Sequence, residues 1–154
     1  NTQDAFGGWC VQRMFQRAQI AHETPSDMQR ELWWKFMANV AVNQSSAVLR
    51  MPYGVLRTTP AALELINGLA GEVLALAAAA NVNLTSDDLD LFYEVLGTID
   101  PLGKTSMLQD VEAGRTNEVE IFAGKVVALG EVYSLPTPFN TTFLHILRGL
   151  QPTQ

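Results

Sequence analysis

Apolar residues recur at helical spacing along almost the whole chain, and no stretch shows the alternation that is typical of strands. The fold class is therefore predicted to be all-α, a multi-helix bundle around one hydrophobic core. About seven helices are expected, together with a short turn or helix near residue 53. Their predicted spans are residues 4–18, 26–49, 60–79, 86–96, 106–113, 117–133 and 139–150.

Several helix starts are predicted from capping residues. Ser26 with Gln29 three positions later fits a capping box, and Pro60 fits the first position of a helix. Ser86, followed by two aspartates, is expected to cap the helix that begins there. These signals fix the order of the helices along the chain.

One helix carries a stripe of polar residues in an otherwise apolar segment. Lys35, Asn39 and Asn43 are spaced by four residues and therefore share one helical face. The other residues between positions 32 and 43 are aromatic, aliphatic or alanine. The helix is therefore expected to be buried, and the stripe is expected to line a polar cleft. Spacing alone also fits, and by itself favours, a lysine that reaches solvent and asparagines that bond backbone or water.

A second polar cluster lies at residues 105–118. Ser106 stands at the start of a predicted helix, where free N–H groups favour an anion, but the residues by themselves favour Ser106 or Thr105 as a simple helix cap. Arg115 and Glu118 are spaced for a surface ion pair, and Asp110 fits a solvated or paired carboxylate.

Composition restricts the partners and the chemistry. With a net charge of −6 over 154 residues and no run of like charges, the chain lacks the electrostatic footprint of nucleic-acid or anionic-membrane binding. The single cysteine, Cys10, is interpreted as a small core residue, and its lack of a partner fits a cytoplasmic protein. No metal-ligand spacing and no secretory signal is apparent, and His22 and His145 are interpreted as structural or exposed.

The sequence indicates neither a dinucleotide-binding unit nor a membrane span. No Gly-x-Gly-x-x-Gly sequence follows a strand, so the chain does not carry its own dinucleotide-binding unit. The apolar stretch at residues 60–80 is interrupted by Glu64, Asn67 and Glu72, which favours a packed core helix over a membrane span.

In this order along the chain, the motifs resemble the C-terminal domain of the ketopantoate reductases (2-dehydropantoate 2-reductases). The resemblance covers residues 28–150 and is most specific in Ser-Met-Leu-Gln-Asp at 106–110 and Gly-Arg-Thr-Asn-Glu at 114–118. It is supported by Glu-Leu-Trp-Trp-Lys at 31–35, the two asparagines of the stripe, and Pro-Thr-Pro-Phe-Asn at 136–140.

The resemblance implies a two-domain enzyme. An N-terminal Rossmann domain would bind NADPH, and a helical domain similar to the 6-phosphogluconate dehydrogenase C-terminal domain would close the active site. Residues 1–25 are then expected to be the exit helix and linker from a missing Rossmann domain, and residues 26–154 the substrate domain. The 154-residue chain by itself is expected to be inactive.

The resemblance also implies roles for site residues. Lys35 would be the general acid that protonates the substrate carbonyl oxygen, and Glu118 would orient it or bond a substrate hydroxyl. Asn39 and Asn43 would bind the substrate or the lysine head, and Ser106 would bind the substrate carboxylate. Asp110 and Arg115 are interpreted as structural, and no metal is implied.

Two turn residues depart from the family pattern, and the function of the chain has other possible interpretations. Gln19 and Ser134 stand where this family usually has glycine, and both are expected at turns. The substrate is predicted to be 2-dehydropantoate, in pantothenate synthesis, but a related enzyme that reduces a different 2-oxo acid fits the same residues. A non-catalytic helical assembly domain is the alternative from another class, and a homodimer is compatible with either.

Overall fold

The structure is a computed structural model that describes residues 11–152, and Cys10 therefore lies outside the described residues. No strand occurs within residues 11–152, which confirms the all-α prediction. The helices are α1 (residues 11–17, the described part), α2 (Met28–Leu49), α3 (Tyr53–Leu56), α4 (Pro60–Ala79), α5 (Ser86–Thr98), α6 (Ser106–Glu112), α7 (Ala123–Tyr133) and α8 (Pro138–Gly149), with a 3-10 helix at Val119–Ile121.

Two long helices, α2 and α4, form the centre of the bundle. They pack against each other, α6 packs on α2, α7 packs on α4, and α8 contacts both. Their facing sides supply most of the fully buried side chains, because each helix places residues three and four apart on one face. The central core includes Met37, Val40, Ile66, Leu69 and Val73.

Helix α4 is long and apolar enough by composition to cross a membrane, but in this fold it is a core helix. The buried carboxylate of Glu72 accepts hydrogen bonds from the backbone N–H groups of Phe139 and Asn140 at 2.7 and 2.9 Å. The Asn140 side-chain amide donates a third bond to it at 2.7 Å. Glu72 therefore ties α4 to the first turn of α8.

Two predicted caps are wrong by one residue. Asp27, rather than Ser26, caps α2, and its side chain accepts a hydrogen bond from the Arg30 backbone N–H. Thr85, rather than Ser86, caps α5, in a reciprocal capping box with Asp88. In both places adjacent residues have similar cap propensity, and the backbone turn selects between them.

The predicted helix at residues 117–133 is divided. Phe122 leaves helical geometry with φ −104° and ψ −91°, so a 3-10 turn precedes α7. In α5 not every apolar residue faces the core, since Leu91 and Val95 are 45% and 41% exposed. Phe92 and Leu96 are buried there.

Both positions where the resemblance expects glycine adopt left-handed backbone. Gln19 has φ +54°, and Ser134, which ends α7, has φ +55° and ψ +38°. A side chain is disfavoured in this region, and glycine adopts it without that penalty. The turn prediction for both residues is confirmed.

Ser134→Gly is expected to stabilise the protein by about 0.5–1 kcal/mol, because it removes the left-handed penalty at a helix end. Urea unfolding followed by circular dichroism measures the change as a higher midpoint at unchanged slope. Ser134→Ala is the control and should give no gain. An equal gain from alanine would show that the effect does not come from the backbone conformation.

Candidate active site

The polar stripe of Lys35, Asn39 and Asn43 lies along one face of α2, as predicted. The two asparagines are half-buried, but Lys35 is exposed, so the prediction of a helix buried all round is wrong. The reason is that the buried residues of α2 begin at Met37, whereas its first turns are only partly covered by the core. Leu32, for example, is 60% exposed.

Ser106 occupies the first position of α6, the helix that packs on α2. The side chain of Thr105 provides the cap, accepting a hydrogen bond from the Leu108 backbone N–H at 3.1 Å. The Ser106 hydroxyl is consequently not needed for capping, and it is exposed. Of the two predicted cap candidates, Thr105 is therefore the cap and Ser106 is not.

Glu118 lies at the start of the 3-10 helix and is exposed. The residue before it, Asn117, is buried and holds this turn in place. The Asn117 side-chain oxygen accepts from the Val119 backbone N–H at 3.1 Å and from the Gln151 side-chain amide at 3.0 Å. Sequence analysis did not identify this anchoring role, because Gln151 lies far along the chain.

The five predicted site residues share one property. Within residues 11–152, none of their side chains forms a hydrogen bond or an ion pair. The buried polar residues elsewhere mostly have partners, as expected for groups removed from water. Polar side chains without an internal partner are free to bind something outside the described chain. They are Lys35, Asn39, Asn43, Ser106 and Glu118.

Two other charged residues of the second cluster are paired with each other. The Arg115 guanidinium contacts the Asp110 carboxylate at 2.7 and 2.8 Å. The possible Arg115–Glu118 surface pair is therefore wrong, and the alternative of a paired Asp110 is correct. This pairing leaves the Glu118 carboxylate available.

An apolar groove of about 250 Å³ lies between α2 and α7. Leu32, Trp33 and Phe36 line it from α2, and Lys125 and Leu129 line it from α7. On a helix with 3.6 residues per turn, Leu32 and Phe36 fall beside the polar stripe rather than opposite it. An apolar surface therefore borders the side on which Asn39 and Asn43 lie.

The resolved pKa shifts belong to other parts of the fold. Burial raises the pKa of Tyr53 and of Tyr93 above the ordinary value for tyrosine. A hydrogen bond from Arg148 lowers the pKa of Glu120. Among residues 11–152, no group of three histidine, cysteine, aspartate or glutamate side chains is placed to hold a metal ion.

These features define a class of protein: an all-helical domain whose central helix presents unpaired polar side chains beside an apolar groove. A family profile described as ketopantoate reductase PanE/ApbA C terminal matches residues 27–151, and the chain belongs to this family. The chain is 27% identical to the 2-dehydropantoate 2-reductase of Archaeoglobus fulgidus over 143 residues, which are 92% of this chain and 47% of the relative.

Solved structures show the same fold. A PanE/ApbA family ketopantoate reductase from Ralstonia eutropha superposes with a TM-score of 0.81 at 27% identity, covering 90% of this chain and 46% of that one. A ketopantoate reductase from Staphylococcus aureus, described as dimeric, gives a TM-score of 0.80 at 23% identity, covering 92% and 51%. The chain thus spans about half the length of the relatives it matches.

Proposed function

We propose that this chain is the substrate-binding and catalytic-acid domain of an NADPH-dependent reductase of a small 2-oxo acid, with 2-dehydropantoate as the substrate. The observation that carries the proposal is the set of five polar side chains without an internal partner, at the positions that the family resemblance assigns to the site. The relatives named above are 2-dehydropantoate 2-reductases and ketopantoate reductases, which supports the choice of substrate.

We expect NADPH, the hydride donor of the proposed reaction, to be bound mainly by a domain other than this one. A phosphate-binding turn of the Rossmann type requires a strand before a glycine-rich turn, and residues 11–152 contain no strand. The boundary between residues 25 and 26 remains part of the proposal.

The chemistry assigned to this chain is proton donation and substrate orientation. Reduction of a ketone leaves negative charge on the carbonyl oxygen, and the Lys35 ammonium is the group that neutralises this charge and donates its proton. The Ser106 hydroxyl binds the substrate carboxylate. The amides of Asn39 and Asn43 bond the substrate or the lysine head, and Glu118 bonds the substrate hydroxyl or orients Lys35.

The exposure of Lys35 is compatible with this role. When a site lies between two domains, the site residues of either domain are solvated if that domain is viewed alone. These residues become enclosed when the two domains close together. The apolar groove formed with Leu32 and Phe36 is the surface beside the stripe that such closure would cover.

We also propose that the protein forms a homodimer, since one structural neighbour is described as dimeric. A second apolar groove, lined by Leu65, Pro138, Phe139, Thr142 and Phe143, is a surface on α4 and α8 that supports self-association. This observation also favours the alternative of a purely assembling domain. Sedimentation velocity measures association, whereas only substrate turnover supports the reductase.

Oxidation of NADPH by the full-length protein in the presence of 2-dehydropantoate tests the proposed function. Ser106→Ala should raise the KM for the 2-oxo acid about tenfold or more with a smaller effect on kcat, because a bond to the substrate carboxylate is lost. Ser86→Ala is a matched control, since Ser86 is likewise exposed at the first position of a helix capped by the preceding threonine.

Absence of turnover by the wild-type protein would refute the reductase proposal. Turnover of other 2-oxo acids in preference to 2-dehydropantoate would refute only the choice of substrate. A Ser106→Ala variant with unchanged KM would remove this residue from the site.

A further inference from the structure

The first turns of α2 are held by one residue of α5. The indole N–H of Trp34 donates a hydrogen bond to the backbone carbonyl of Asp88 at 3.2 Å. The Arg30 guanidinium donates to the carboxylate of the same Asp88. Both contacts lie on the first two turns of α2, which the core covers only in part, immediately before Lys35.

Asp88 is itself fixed in position. It is 4% exposed, and its carboxylate also accepts a hydrogen bond from the Thr85 backbone N–H at 2.8 Å in the capping box of α5. Reorientation of this buried carboxylate would break its bonds to both Thr85 and Arg30. Asp88 therefore connects α2 rigidly to the first turn of α5.

Two attachment points one helical turn apart restrict how α2 can move. Arg30 and Trp34 lie on the same face, and Lys35 follows about 100° around the helix. An amine carried roughly 8 Å from the helix axis is displaced by about 2 Å when the helix rotates by about 15°. A displacement of about 1 Å is enough to lower the rate of a positioned reaction by about a hundredfold.

We propose that Asp88, acting through Arg30 and Trp34, is a positioning residue for Lys35. The contacts fix the rotation and the axial position of the first turns of α2, so that the ammonium meets the substrate carbonyl oxygen. This inference rests on the proposed reductase function. Asp88 itself touches neither substrate nor cofactor in the proposal.

The test uses the full-length protein with the double substitution Arg30→Met and Trp34→Phe, which removes both donors and keeps an unbranched and an aromatic side chain against α5. We expect kcat for the 2-oxo acid to fall about tenfold while KM stays within about twofold. Asp87→Asn is the matched control, because Asp87 is exposed in the first turn of α5 beside Asp88 and takes part in neither contact. Its kcat should be that of the wild type.

Adding Lys35→Ala to the double substitution distinguishes a positioning role from a general loss of stability. If Arg30 and Trp34 act through Lys35, the double substitution should cause no further loss of kcat in the Lys35→Ala background. An equal tenfold loss in that background, or an unchanged kcat in the wild-type background, overturns the inference. Arg30→Met alone, which keeps the indole contact, provides the same comparison if the double variant does not fold.

The outcomes also distinguish the two proposals. An active wild-type protein with an impaired Lys35→Ala variant and a normal Arg30→Met, Trp34→Phe variant refutes the positioning role alone. A wild-type protein without turnover refutes the proposed function, and the positioning role with it.

Discussion

Lys35→Ala in the full-length protein is expected to lower kcat with 2-dehydropantoate by about two orders of magnitude or more. The physical reason is that reduction builds negative charge on the carbonyl oxygen, and the variant has no group at this position to protonate it. KM should change less, because the substrate carboxylate is assigned to Ser106 and not to the lysine. Steady-state oxidation of NADPH, followed by absorbance, measures both constants.

Two comparisons make this result specific. Lys125→Ala removes the exposed lysine that lines the apolar groove, and it should retain most of the wild-type kcat. Addition of a small primary amine should restore part of the activity of Lys35→Ala, since it supplies the missing acid. A near-normal rate for Lys35→Ala, or a larger loss for Lys125→Ala, would show that Lys35 is not the acid.

The helical fold was predictable because its signal is local. Apolar spacing and the glycine and proline breaks placed the starts or ends of most helices within a few residues, including the end of α2 at Leu49 and the start of α4 at Pro60. The errors arose where neighbouring residues compete. Thr85 and Ser86 are both good caps, and nothing in the local sequence at Phe122 signals the break before α7.

The candidate site was only partly predictable. Periodicity places Lys35, Asn39 and Asn43 on one face, but it does not tell which end of a long helix is only partly covered by the core. The burial predicted for the whole helix was therefore wrong, whereas the exposure of Lys35 fits the alternative that spacing by itself favoured, a lysine that reaches solvent. Contacts between distant parts of the chain, such as Asn117 with Gln151 or Arg30 with Asp88, leave no local pattern, since each side chain alone fits an ordinary surface residue.

A distant contact of the same kind supplies the largest expected effect on stability. Glu72→Ala should destabilise the protein by about 3 kcal/mol, because it leaves the backbone N–H groups of Phe139 and Asn140 and the Asn140 amide without their acceptor. A loss of this size lowers Tm on the order of 10 °C. Urea unfolding should show a lower midpoint at unchanged slope.

A second glutamate on α4 offers a matched control. Glu64 lies two turns earlier on α4 and is exposed, so Glu64→Ala should change stability by no more than about 0.5 kcal/mol. Asn140→Ala combined with Glu72→Ala should cost less than the sum of the two single losses, since both belong to one network that also includes Gln44. Equal midpoints for Glu72→Ala and Glu64→Ala would show that this network does not hold α8 to α4.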